Sequence, residues 1–189
     1  MLRVGVLVSG RGTNLQALLD ARDQRFAVAL VCSNRDGVPA LERARRAGVD
    51  ARVCEGGAAH PRMADALRAA RVDLVVLAGF DRILHPDFFA RLGDVPVVST
   101  HPSLLPRFGG KGMIGRKVHE AVIAAGESES GCTVFRTRAD ALDEGEILAR
   151  RRVPVLPGDT AETLEARVLV AEHEALVEVV RSFSIAARS

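Results

Sequence analysis

The alternation of short, uninterrupted aliphatic runs with helix-period stretches constrains this chain more than any other feature. Residues 4–8 read as a buried strand, and a glycine-rich turn then leads into a helix over 14–19. Residues 27–32 read as a second strand and 38–47 as a helix. Residues 51–54 form a weak third strand, with a helix over 63–70. The clearest buried strand is 73–79, and 95–99 is another. Val and Leu runs without polar alternation suit parallel strands covered on both faces. Strand–helix alternation at this spacing predicts a doubly wound α/β sheet.

The last third has a different pattern. Residues 133–135 and 147–155 read as strands with no long helix between them, which predicts a local antiparallel pair. Asp159, with Glu162 three residues on, has the form of a capping box at the head of a C-terminal helix. Leu164, Val168, Ala171, Ala175 and Val179 fall at spacings of three and four, an amphipathic stripe for packing on the sheet. No linker, repeat or low-complexity tract interrupts the sequence. The expectation is one domain over 1–189, with a mostly parallel sheet and a late antiparallel portion.

Composition removes several function classes. The 26 Lys+Arg against 24 Asp+Glu leave a net charge of +2, without the basic surplus of a nucleic-acid or anionic-membrane binder. Trp and Tyr are absent and Phe supplies all 7 aromatics, too few for a base-stacking platform. Cys32, Cys54 and Cys132 are widely spaced and form no CxxC, which argues against a disulfide framework or structural zinc. The opening apolar run is cut off by Ser9-Gly10-Arg11-Gly12, too early for a signal peptide. No stretch approaches the roughly 20 apolar residues of a membrane span. The expectation is a reducing, cytoplasmic location.

Three segments carry candidate chemistry. Ser9-Gly10-Arg11-Gly12-Thr13-Asn14 follows the first strand and heads a helix, where backbone N–H groups make an anion site. It is neither GxGxxG nor a P-loop, because Leu15 stands at the third glycine and no Gly-Lys-Ser/Thr follows. A phosphorylated small molecule suits it better than a dinucleotide; the alternative is a glycine turn needed only for a tight connection. His101, in Ser99-Thr100-His101-Pro102-Ser103-Leu104-Leu105-Pro106, falls just past the carboxyl end of a strand, the ligand-binding edge of such a sheet. Its imidazole titrates near neutrality and suits proton transfer at a carbonyl carbon; a lone histidine is otherwise an ordinary surface or core residue. The acidic stretch Ala139-Asp140-Ala141-Leu142-Asp143-Glu144-Gly145-Glu146-Ile147 is either a solvated turn or the source of a carboxylate that reaches His101.

Read together, these segments resemble the phosphoribosylglycinamide formyltransferase family. Ser9-Gly10-Arg11-Gly12-Thr13-Asn14-Leu15-Gln16 comes first, then Val75-Val76-Leu77-Ala78-Gly79-Phe80-Asp81-Arg82-Ile83-Leu84. His101-Pro102-Ser103-Leu104-Leu105-Pro106 and Leu142-Asp143-Glu144-Gly145 follow in the same order. The resemblance runs from about residue 2 to about residue 180. It implies a Rossmann-like formyltransferase fold and formyl transfer from 10-formyltetrahydrofolate to the glycinamide amine. That transfer proceeds by direct attack and a tetrahedral intermediate, without metal or covalent enzyme adduct. His101 matches the family's proton-shuttling histidine, and Asp143 matches the aspartate that raises its pKa. Gly12, Thr13 and Asn14 match the phosphate loop, and Glu172 the glutamate that holds the ribose. Asp81, Arg82, Ile83 and Leu84 match the segment that accepts the pterin through backbone groups. Arg62 matches a folate-contacting arginine, in a segment shorter than usual. The implied partners are these small molecules alone, bound by a monomer or homodimer.

The chain also departs from the family pattern around the reaction centre. Ser99 stands where the family has an Asn that donates to the formyl oxygen. Losing such a donor costs roughly 3–4 kcal/mol in another enzyme. Phe135 replaces a His, Asp81 a Met, and Gly109 a Pro after the His101 segment. Two hypotheses follow, a working transformylase and a ribonucleotide-binding homologue that transfers formyl weakly or not at all. Formyltetrahydrofolate hydrolase shares the His and Asp but usually adds an N-terminal domain, whereas the first strand here begins at residue 2. Methionyl-tRNA formyltransferase adds a C-terminal domain for which the chain has no room. The same fold serves nicotinamide dehydrogenases, against which the missing third glycine counts. The other histidines read as bystanders: His60 and His85 at the surface, His119 on an exposed helix face, and His173 bordering the substrate site at most. Arg150-Arg151-Arg152 reads as a solvated strand edge.

Overall fold

The computed structural model describes residues 1–139 and 141–186; Asp140, part of the acidic stretch above, lies outside them. Among the described residues, seven strands form one sheet: β1 (Leu2–Val8), β2 (Phe26–Ser33), β3 (Asp50–Val53), β4 (Leu74–Leu77), β5 (Val97–His101), β6 (Glu129–Arg136) and β7 (Glu146–Pro154). Among the same residues, six helices accompany them: α1 (Thr13–Asp20), α2 (Pro39–Arg46), α3 (Ala59–Ala69), α4 (Pro86–Leu92), α5 (Arg116–Ala124) and α6 (Ala161–Ala186). The strand order is β3-β2-β1-β4-β5-β6-β7. The first five strands are parallel, and β6 and β7 each run antiparallel to the neighbour before them. The expected mostly parallel α/β sheet with a late antiparallel portion is therefore the observed one.

Strand alternation explains the two-sided core. Val4, Val6 and Val8 of β1, with Leu74 and Val76 of β4, face α1, α2 and α6. Leu7, Val75 and Leu77 face the opposite cluster under α3 and α4. A Cβ on Gly5 would lie 2.2 Å from a Leu67 methyl, so glycine here lets α3 close onto the sheet. The stripe read on the C-terminal helix is buried, with Leu164, Val168 and Ala175 fully enclosed. Burying a side chain of this kind is worth about 1.5–3 kcal/mol.

Three local expectations require correction. α6 is capped one residue later than expected: Thr160 Oγ1 accepts from Thr163 N–H at 3.3 Å, and Thr163 Oγ1 accepts from Thr160 N–H at 2.9 Å. Asp159 instead binds Arg167 at 2.7 Å and accepts from Leu156 N–H, and Glu162 pairs with Arg116 at 2.8 Å. The Thr160–Thr163 pair does the work of a capping box with a hydroxyl in place of the carboxylate. The strand expected over 95–99 runs over Val97–His101, so His101 is its last residue. Helix α4 adds an element to those expected, and Pro86 at its first turn and Gly93 at its end are its signals.

β7 is the edge strand, as the arginine run suggested. Its arginines are nevertheless engaged. Arg150 donates to the Leu105 carbonyl at 2.6 Å, Arg151 pairs with Glu178, and Arg152 pairs with Glu129 at 2.7 Å.

Candidate active site

Strand order reverses between β1 and β4, and ligands in open α/β sheets bind in the crevice that this reversal opens at the carboxyl ends. A cleft of about 490 Å³ occupies that position. Gly12, Thr13 and Asn14 line it from the β1–α1 turn, and residues 79–84 line it beyond β4. Ser99 and His101 of β5, with Asp143 and Glu172, line it as well.

His101 is 4% exposed. Its Nδ1 lies 3.3 Å from Asp143 Oδ1, and its Nε2 lies 2.8 Å from the Phe108 carbonyl oxygen. With an acceptor at each nitrogen, the charged imidazolium satisfies both sides at once. Burial alone lowers the His101 pKa. The Asp143 carboxylate outweighs it, with help from the Phe108 carbonyl and Glu172, and the net direction is up. Burial pushes Asp143 up in turn, but His101 and the Gly110 N–H, at 2.8 Å, hold it below the usual carboxylate value. Asp143 and Phe108 both have left-handed backbones, with φ of 53° and 54°. Non-glycine residues adopt that conformation at a cost and cluster at functional sites. Both of these hold the imidazole.

Several bonds fix the segment that carries this histidine. Thr133 Oγ1 donates to the Ser103 carbonyl at 2.7 Å and accepts from Leu105 N–H at 3.0 Å. Ser103 Oγ donates to the Arg107 carbonyl at 2.6 Å. The loop from β5 to α5 is thus anchored from β6 as well as β7.

At the glycine turn, Gly12 caps α1 in a left-handed conformation, φ 73°. A Cβ there would lie 2.6 Å from Ala40 Cβ, so the position demands glycine for space as well as for backbone. No acidic side chain occupies the first turn of α1, leaving its N–H groups to the cleft. Asn14 Nδ2 donates to Glu172 Oε1 at 2.9 Å, and both residues are buried. Among the described residues its Oδ1 has no hydrogen-bond partner.

The structure separates the expected cofactor residues. Leu84 is buried, while Ile83 and Arg82 reach the rim of the cleft and are half exposed or more. Asp81 lines the cleft, yet its carboxylate accepts from Asn34 Nδ2 at 3.0 Å and pairs with Arg35. Asp81 N–H in turn donates to Ser9 Oγ at 3.0 Å, tying the ends of β1, β2 and β4 together. Arg62 does not line the cleft; it donates to the Glu55 carbonyl.

His119 also requires correction. It is on α5 but only 2% exposed and lines the cleft, because the helix turns that face inward beside α6. Burial lowers its pKa, which favours the neutral ring. Arg11 pairs with Glu165 at 2.6 Å at the mouth of the cleft. The Gly110–Gly115 loop lines the cleft too, and its signal was the density of glycines at 109, 110, 112 and 115. Among the described residues no group of three or more His, Cys, Asp or Glu is arranged to hold a metal ion. None of the described helices is long and apolar enough to cross a membrane.

The comparisons with known proteins agree with this fold. A crystal structure of glycinamide ribonucleotide transformylase 1 from Symbiobacterium toebii superposes with a TM-score of 0.89 at 40% identity, covering 98% of this chain and 89% of that one. A phosphoribosylglycinamide formyltransferase from Haemophilus influenzae is 34% identical over 193 residues, 97% of this chain and 88% of that protein. The trifunctional purine biosynthetic protein adenosine-3 of Drosophila pseudoobscura pseudoobscura is 43% identical over 182 residues, 90% of this chain. The chain spans 13% of that protein's length and 17% of its Bos taurus counterpart. The family model described as formyl transferase matches residues 2–180. By that match, and by likeness along nearly its whole length, the chain belongs to the formyl transferase family.

Proposed function

We propose that this chain transfers the formyl group of 10-formyltetrahydrofolate to the amine of 5-phosphoribosylglycinamide, a step of purine biosynthesis, as one domain acting on small molecules. The observation that carries the proposal is a buried histidine–carboxylate pair, His101 and Asp143, in the same cleft as an uncapped glycine-turn helix end. The relatives' names support the same reading. A reducing cytoplasm fits the three free, buried cysteines, and the chain acts there as a monomer or homodimer.

The cleft suits both ligands. The phosphate meets the N–H groups at the head of α1 and the Thr13 hydroxyl. Asn14 donates one amide N–H to Glu172, which orients that carboxylate toward the ribose hydroxyls, and its Nδ2 also lies 3.5 Å from Thr100 Oγ1. On the other side, Leu77, Phe80, Ile83 and Leu84 supply an apolar wall for the pterin, with backbone groups of 82–84 at its edge.

When bound, the folate supplies an electrophilic formyl carbon. Asp143 holds Nδ1, which leaves Nε2 of His101 as the nitrogen that exchanges its proton. The Phe108 carbonyl now accepts there, and the reacting oxygen takes its place. Nε2–H stabilises charge developing on that oxygen, and the imidazole then carries the amine's proton to the leaving nitrogen. Burial of His101 keeps water from competing.

One observation favours a second reading, a homologue that binds the ribonucleotide and transfers slowly. Ser99 faces Phe135, which leaves a hydroxyl as the only side-chain donor of that pair. Product analysis separates these readings and the hydrolase alternative. With both substrates, the transferase forms the formylated ribonucleotide; a hydrolase releases formate without it; a binding homologue forms the formylated ribonucleotide slowly or not at all and releases no formate.

A further inference from the structure

Two thiols share a buried sheet face outside the cleft. Cys32 lies in β2, fully buried, and Cys54 follows β3 at 6% exposure. The parallel ladder sets Cys32 opposite Arg52, and Cys54 N–H donates to the Ser33 carbonyl at 2.8 Å. Side chains alternate along a strand, so positions 32, 52 and 54 share one face. Both cysteines belong to the buried cluster beneath α3, with Cys54 two positions along from the residue that Cys32 faces across the β2–β3 ladder. Arg62 and Arg52 add positive charge beside Cys54. Cys132 is alone, on β6, with three strands between it and β2.

We propose that Cys54 and Cys32 form a peroxide-reactive dithiol, with Cys54 the attacking thiolate and Cys32 the resolving thiol. Cys54 is the more exposed of the two and the one flanked by arginines. The Cys32 S–H bond favours the Cys54 thiolate and, although burial opposes it, the arginines help hold Cys54 below the ordinary thiol range. Cys32, donating that bond in a buried position, is held above it. A thiolate with a neighbouring thiol is the arrangement of a reversible redox site.

The chemistry balances with a hydroperoxide as oxidant. Cys54 sulfur attacks one peroxide oxygen, the O–O bond breaks, and Cys54 sulfenic acid and hydroxide form. Cys32 sulfur then attacks the Cys54 sulfur, the S–O bond breaks, and water leaves with the Cys32 proton. Two electrons pass from the dithiol to the peroxide, and one disulfide links β2 to the end of β3. The tie is close to the cleft wall: His60, a few residues on, lies against Phe80 with ring centroids 6.1 Å apart.

The test is oxidation of the reduced protein with hydrogen peroxide, then unfolding, alkylation with N-ethylmaleimide and peptide mass analysis. The expected result is a Cys32–Cys54 linked peptide, reversed by dithiothreitol, with Cys132 alone alkylated. In Cys32→Ser, a sulfenic acid persists on Cys54 and is trapped by dimedone; in Cys54→Ser, Cys32 stays alkylatable. The rate of peroxide reaction in the unmutated protein supplies a readout that needs no variant. It reaches half its maximum at a lower pH than a free cysteine peptide does. Three alkylated thiols after peroxide, first oxidation at Cys32 or Cys132, or a pH dependence matching the free peptide would overturn the proposal.

Discussion

Ser99 and Phe135 stand directly opposite each other in the antiparallel β5–β6 pair, both lining the cleft, two residues before the end of the strand that His101 closes. Directly opposed side chains lie about 4.5–5.5 Å apart at Cβ. The two departures that the sequence showed as separate positions are therefore one local change in the donor environment. Ser99→Asn is expected to raise the rate of formyl transfer, toward the roughly 10²-fold that one oxyanion donor contributes elsewhere. Because the positions touch, Phe135→His should act non-additively with it. Steady-state kinetics of the two single variants and the double variant check this; an unchanged or lower rate for Ser99→Asn contradicts the role given to that position.

Gly12→Ala should be severe for a residue so small. The added Cβ meets Ala40 at 2.6 Å in a conformation that already disfavours it. A loss of about 2 kcal/mol or more is expected from strain and displaced packing. Chemical denaturation measures that loss, and calorimetry should show weaker binding of the phosphorylated substrate. Gly10→Ala is the control, since a Cβ there meets nothing within 4 Å.

Glu172→Gln removes an anion that Asn14 Nδ2 contacts at 2.9 Å. If Glu172 holds the ribose, the variant raises KM for the ribonucleotide about tenfold, an effect of the order of one charged hydrogen bond, and changes kcat less. A fall confined to kcat would instead put Glu172 in the chemistry.

Asp159 gives a pH-dependent stability prediction. Arg167, then the Leu156 N–H, hold its carboxyl well below the usual range, against an opposing effect of burial. A depressed folded-state pKa stabilises the fold above the unfolded value and loses that effect as pH falls toward the folded one. Asp159→Asn should therefore lower Tm at neutral pH, and its difference from the unmutated protein should shrink below about pH 4. A difference independent of pH would contradict the charge-based account of this corner.

The sequence made the sheet legible because its strands are unbroken aliphatic runs, and the site legible because its residues sit where those runs end. His101 and Asp143 are 42 residues apart in sequence and 3.3 Å apart in space, and the family resemblance, not periodicity, paired them. Backbone groups were invisible to a side-chain reading: the Phe108 carbonyl on Nε2 depends on a left-handed turn that no residue type announces. His119 was misjudged because its polar type outweighed the inward face of α5. The cap of α6 slipped by one residue because Asp159 and Thr160 are both good caps, and Arg167 draws the first of them away.

The pH dependence of formyl transfer by the unmutated protein and by Asp143→Asn tests the central claim most directly. With His101 acting as an acid, its raised pKa puts the loss of activity with rising pH above the ordinary histidine value of about 6.5. Asp143→Asn removes the charge at Nδ1, so that loss should move to lower pH and the maximal rate should fall about 10²-fold. Using the same acceptor throughout keeps its own ionisation common to both profiles. Acceptor-dependent transfer with the displaced limb is the predicted result. Identical limbs in the two proteins, or no acceptor-dependent transfer at any pH, would contradict it.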